Sequence, residues 1–124
     1  MVSMQDATLS AQVNLYISGR KLKNLDTFSK SDPICRVFEK RGNSYVLVGG
    51  TEKIDDNLNP DFEKAITLPY YFERKQEFKF EMIDDDGGGD YDLIGEAYTT
   101  MGAIMGAKAQ MWTTNLTKAG GSSS

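Results

Sequence analysis

Short segments in which apolar residues recur at every second position, about ten residues apart and broken by glycine, proline and asparagine, constrain this chain more than anything else in it. Residues 12–18 place Val13, Leu15 and Ile17 on one side. Residues 33–40 alternate Ile34, Arg36 and Phe38 with Cys35 and Val37. A turn signal at Arg41-Gly42-Asn43-Ser44 leads into residues 45–48, which are rich in β-branched and aromatic side chains. Residues 62–68, 77–84, 93–100 and 110–116 follow, with Phe78, Phe80 and Met82 set against Glu77, Lys79 and Glu81. Period two means half-buried strands, and seven of them with short breaks predict an all-β, antiparallel Greek-key sandwich. Eight strands close such a sandwich, so an eighth is expected from residues 3–9 or beyond the end of the chain. A helical turn or two is expected at 101–107, weakened by Gly102 and Gly106.

The 124 residues, 40% hydrophobic, are enough for one domain with a core, expected over residues 8–118. Residues 119–124 read as a flexible tail or the ragged end of an expressed piece. No apolar run approaches the roughly 18 residues of a membrane span, and the N-terminus lacks a basic stretch followed by an apolar one. A single cysteine, Cys35, cannot form an internal disulfide and reads as a small core residue in a reducing compartment. Without histidine, His-based triads, His-carboxylate zinc sites and imidazole acid-base chemistry are excluded.

Charge is distributed unevenly. The net of −4 argues against non-specific nucleic-acid binding. Asp84, Asp85, Asp86, Asp90 and Asp92 fall within nine residues around Gly87-Gly88-Gly89. With these and Asp26 and Asp32 set aside, 14 basic residues face 11 acidic ones, a body of net +3 carrying an acidic spot. Hard cations such as Ca2+ take six to eight oxygen ligands, and short aspartate side chains hold such oxygens close to the backbone. Three glycines give the chain the freedom to fold around an ion. Asp26 and Asp32 flank a loop that a sandwich can bring to the same end. A solvated acidic connection is the plainer reading of one such loop, and the second aspartate pair favours metal. The EF-hand register fails, because counting from Asp84 puts Gly88 fifth and Gly95 twelfth, where a bidentate glutamate belongs. An Asp-x-Asp phosphotransfer site lacks its α/β context.

Three further patterns, taken in order, resemble a known family. Leu25-Asp26 followed by Ser31-Asp32-Pro33, the turn Asn57-Leu58-Asn59-Pro60-Asp61-Phe62, and Asp84-x-Asp86 followed by Asp92-Leu93-Ile94-Gly95 are similar to the loops of C2 domains. Residues 26–33, and Tyr70-Tyr71-Phe72-Glu73 leading into Phe78-Lys79-Phe80-Glu81, are most similar to the first C2 domain of copines. Copines carry a second such domain and a von Willebrand A-type domain, so the resemblance implies a piece of a longer protein. It also implies that the side chains of Asp26, Asp32, Asp84, Asp86 and Asp92, with the backbone carbonyls of Leu25 and Asp85, hold two or three Ca2+ ions. Gly88 and Asp85 stand where many members place apolar residues, which leaves membrane contact to Phe28, Lys30 and Tyr91. Residues 45–54 contain only Lys53 where many members have a lysine-rich strand. The implied function is calcium-dependent binding to anionic phospholipid membranes, with no catalysis, by a cytoplasmic module recruited when calcium rises. The alternative is a protein-interaction domain with calcium incidental, using a sheet face or the Tyr70-Tyr71-Phe72 turn.

Overall fold

The computed structural model describes residues 10–25 and 30–118. Six strands form: β1 (Ser10–Leu15), β2 (Pro33–Arg41), β3 (Ser44–Gly50), β4 (Ile66–Tyr71), β5 (Glu77–Gly87) and β6 (Asp90–Thr100). They make two antiparallel sheets, β1-β4 and β3-β2-β5-β6. The alternating positions explain the packing between them. Val13 and Leu15 of β1 and Ile66 and Leu68 of β4 pack with Val37 and Phe78. Cys35, Met82 and Ile94 join Leu22 and Phe62 in a second cluster nearer the other end. Phe80 touches both clusters. Gly49 of β3 lets the two sheets approach, since a Cβ there would lie 2.7 Å from Ile66 Cγ2. The result is the expected all-β sandwich.

Cys35 is 1% exposed, and burial pushes its thiol up to about 12, which keeps it unreactive. The turn at Gly42-Asn43 forms as expected, with Gly42 at φ +65° and Arg41 paired to Ser44.

The structure corrects several boundaries. The first strand ends at Leu15, and Ser18 makes only an isolated bridge to Asp61. The stretch predicted at 62–68 becomes β4, starting at Ile66, because Phe62 is committed to the preceding turn. Residues 110–116 form no strand. A helix, α1 (Met101–Met105), is capped by the Thr100 side chain, a 3-10 turn follows at Lys108–Gln110, and Ala109 and Gln110 both adopt positive φ. Those two backbone angles turn the chain out of ladder geometry, and it rejoins β6 only where Thr117 bridges Glu96. The eighth strand suggested for residues 3–9 lies outside the described residues.

The Asn57 to Phe62 turn acts as a staple. Asn57 Oδ1 accepts the Asn59 amide, and Asn59 Oδ1 accepts the Lys21 amide. The carbonyls of Leu58 and Pro60 accept from Leu22 and Gly19, and the Phe62 amide donates to Ile17. Pro60 and Phe62 are buried beneath these bonds. This fixes residues 17–22, the approach to the loop that ends at Asp32.

Candidate metal centre

The Asp84 to Asp92 stretch is less of a loop than its composition suggests. β5 runs to Gly87 and β6 restarts at Asp90, so only Gly88 and Gly89 lie beyond the ladder. Gly87, Gly88 and Gly89 all take positive φ, between +62° and +89°, and close this tight tip. Asp84 pairs across the ladder with Asp92 and Asp85 with Tyr91, while a bulge skips Asp86 in the register. Cross-strand pairing brings Asp92 alongside Asp84, and Asp86 follows at the bulge two residues further along β5.

One carboxylate oxygen from each of Asp84, Asp86 and Asp92 falls within 4.8 Å of the other two. Oxygens bound to one Ca2+ at 2.3–2.6 Å stand at most about 5.2 Å apart, so this grouping fits the coordination sphere of a single hard cation. Asp84 sits at the upper end of the inner-facing series Phe78, Phe80, Met82 and is fully buried. Its Oδ1 accepts the Asp32 amide at 2.9 Å, whereas its buried Oδ2 has no hydrogen-bond partner. A buried carboxylate oxygen without a donor is costly unless a cation satisfies it.

Asp32 stands at the same end. It immediately precedes Pro33, which pairs with Asp84 in the ladder, and its carbonyl accepts the Asp85 amide at 3.1 Å. Asp32 Oδ1 accepts the Asp56 amide at 2.6 Å, and Asp56 Oδ1 in turn accepts the Lys30 amide at 2.6 Å. Asp56 adopts φ +53°, a conformation that aspartate tolerates better than most residues. Asp56 thus ties a third loop to the Lys30–Asp32 segment, a role that sequence reasoning missed; the only signal was the Asp55-Asp56 pair just ahead of the Asn57 turn. The loop before Asp32 is drawn together by Ser31, fully buried, whose Oγ accepts the Leu25 amide and donates to the Lys23 carbonyl. Leu25 lines a shallow hollow with Asp92 and Leu93, so the two loop systems meet.

Among the other expected site residues, Asp26 and Phe28 lie outside the described residues. Lys30 is exposed beside Asp56. Tyr91 is half exposed and stacks against the Arg36 guanidinium, 4.4 Å from its ring centroid. The cations on that outer sheet face are already engaged. Arg36 and Lys79 both pair with Glu81, at 3.0 and 3.2 Å, and Lys79 also lies 4.7 Å over the Phe38 ring. In the aromatic turn, Tyr70 packs on the core and meets Phe72 edge-on at 4.9 Å.

A family model for the C2 domain matches residues 12–115. The chain belongs to the C2 domain family. It is 48% identical over 101 residues to Copine-E and 44% identical over 103 residues to Copine-B, both of Dictyostelium discoideum. Each match covers 76% of this chain but only 17% and 19% of the relative, so the chain spans less than a fifth of the copines it matches. A C2 domain of a plant extended synaptotagmin 1 superposes with a TM-score of 0.55 at 16% identity, over 72% of this chain and 66% of that one, a likeness of fold. As a C2 domain the chain is a regulatory module of the kind that binds membranes or calcium. No helix among the described residues is long and apolar enough to cross a membrane.

Proposed function

We propose that this domain binds anionic phospholipid membranes in a calcium-dependent way, with Ca2+ bridging the aspartates and lipid headgroup oxygens. The observation that carries the reading is the fully buried Asp84 carboxylate, which has one oxygen without a hydrogen-bond partner and is grouped with the carboxylates of Asp86 and Asp92. The side chains of Asp26, Asp32, Asp84, Asp86 and Asp92 and the carbonyls of Leu25 and Asp85 are the proposed ligands of two or three ions. Lipid phosphate and carboxylate oxygens complete their shells. Two ions change the chain's net charge from −4 to 0, which removes repulsion from an anionic leaflet. Phe28, Lys30 and Tyr91 are the proposed membrane contacts, a basic residue near the surface adding about 1 kcal/mol. On this reading the domain is proposed to be cytoplasmic and recruited to membranes when calcium rises.

Co-sedimentation with phosphatidylserine vesicles tests it. Pelleting is expected with calcium and lost on chelation; pelleting that ignores the chelator would assign the domain to another mode of attachment.

Asp56 has a distinct expected effect on the same site. Asp56→Gly keeps the positive φ but deletes the acceptor of the Lys30 amide, so the loop leading to Asp32 loosens. Loss of one charge-assisted hydrogen bond should weaken calcium binding about tenfold, while Asp56→Asn, which retains an acceptor, should stay within about twofold. Isothermal titration of calcium into the two variants compares them, and equal affinities would show that this bond does not organise the site.

A further inference from the structure

The opposite pole carries a second feature of different chemistry. Arg41 lies eight residues along β2 from Pro33, roughly 26 Å at 3.3 Å per residue, so the turns at 42–43 and 72–76 stand far from the aspartates. Where Gly49 closes on Ile66 the sheets are in contact. Toward this pole the edges of β3 and β4 part around a cleft of about 700 Å3, with Val48, Leu68 and Phe78 in its apolar lining. Its walls carry four cations, Lys40, Arg41, Arg74 and Lys75, against one acid, Glu39.

Arg41 donates from both Nε and Nη2 to Glu39 Oε1, at 3.2 and 3.0 Å, whereas Lys40 and Lys75 are loosely held, each 3.9 Å from Glu77. Exposed pairs of this kind contribute little and exchange readily. Arg74 pairs with no acid among the described residues and lies 4.3 Å over the Tyr71 ring. Counting Glu39 and Glu77 against the four cations leaves +2; Glu73, exposed in the same turn, does not line the cleft.

The backbone limits what can bind. β4 is blocked, because the buried Gln76 side chain takes the Pro69 carbonyl and the Tyr71 amide as a neighbouring strand would. β3 is the outer strand of its sheet, has no neighbour beyond it among the described residues, and carries no charged residue from Ser44 to Gly50. Val46 and Leu47 are 40% and 56% exposed. Protected edges normally carry lysine, proline or a covering element, and an uncharged apolar edge offers pairing to an extended chain.

We infer that this cleft binds an extended acidic segment of a partner protein, which pairs with β3, sets alternate apolar side chains on the lining and directs its carboxylates to Arg74 and its neighbours. A flat bilayer cannot reach the floor of such a cleft. The preference for a soluble partner also draws on the proposed function, since a domain held to membrane by its aspartates turns this pole away from it. The binding itself requires no metal.

The test uses four eight-residue peptides that alternate glutamate with valine, leucine, phenylalanine or tyrosine, titrated into the 15N-labelled protein with calcium chelated throughout. At least one peptide is expected to give saturable amide shifts centred on Leu47, Val48 and Arg74. Arg74→Glu combined with Lys75→Glu, both in an exposed turn, should weaken that binding at least tenfold, as should replacing the peptide's glutamates with lysine. Failure of all four to saturate by about 1 mM, equal binding of the lysine peptides, or shifts mapping elsewhere would overturn the inference. Chelator-resistant pelleting on anionic vesicles that Arg74→Glu removes would overturn it too, by giving this pole to a membrane. Because no arm contains calcium, these outcomes are independent of whether the aspartates bind metal.

Discussion

Replacing Asp84 with asparagine is expected to abolish calcium-dependent pelleting and weaken calcium binding at least a hundredfold, while raising the melting temperature of the metal-free protein. The two effects have one origin. Without metal, three carboxylates with oxygens within 4.8 Å of one another repel by about 1 kcal/mol per pair in water and about 3 kcal/mol at an effective dielectric near 20. The buried Oδ2 of Asp84 adds an unsatisfied group. Asparagine keeps one oxygen to accept the Asp32 amide, removes a charge, and puts an N–H donor beside Asp86 and Asp92. A gain of 1–3 kcal/mol corresponds to a rise of roughly 4–15 °C in a domain of this size. With calcium, the same change deletes a charged ligand from the centre of the cluster, and a hundredfold loss is about 2.8 kcal/mol. Scanning calorimetry in chelator and isothermal titration of calcium measure the two halves. A metal-free variant that melts lower than wild type would make the carboxylate structural, and unchanged calcium affinity would remove Asp84 from the ligands.

That inverse relation between stability and binding marks where the sequence could and could not be read. The period-two apolar positions identified the inner residues of β1 and β5, because one buried face forces alternation whatever the tertiary partner. The aspartates were conspicuous for a similar reason, since so many like charges in nine residues demand an explanation. Three things were hidden. Residues 110–116 have the β-branched and aromatic character of a strand, yet two consecutive positive φ angles at Ala109 and Gln110 deny them a ladder, and neither residue type advertises that conformation. The acidic stretch reads as a Gly-rich loop between strands at 77–84 and 93–100, whereas ladder pairing carries β5 as far as Gly87 with a bulge at Asp86. Asp56 shows in the sequence only as half of the Asp55-Asp56 pair, because its importance lies in its backbone angle and in two hydrogen bonds to residues at least 24 positions away. Long-range contacts of that kind leave no local pattern.

Anionic vesicles at saturation are expected to tighten calcium binding by the same factor by which saturating calcium tightens vesicle binding, within a range of about 5- to 150-fold. The equality is a thermodynamic requirement if one bound species contains protein, metal and lipid together. Its size reflects the chemistry proposed here: the aspartates alone leave coordination positions that headgroup oxygens fill, so each ligand completes the other's site. Free-domain affinities in the range of about 10 μM to 1 mM are expected for such incomplete shells. Titration of calcium at zero and saturating vesicle, and of vesicles at zero and saturating calcium, gives the two factors separately. If calcium strengthens pelleting while vesicles leave calcium affinity untouched, the ion acts on the vesicles themselves, by neutralising or clustering them, and the protein is not the bridge. If both factors equal one, the aspartate pole binds no membrane through metal. Raising the salt concentration adds a further discrimination. Long-range attraction between the basic body and the leaflet fades as the screening length falls from about 10 Å at 0.1 M to about 3 Å at 1 M, whereas direct coordination through a shared ion persists. A coupling factor that survives about 0.5 M salt therefore reports oxygens of protein and lipid on the same calcium, and one that vanishes reports charge neutralisation alone.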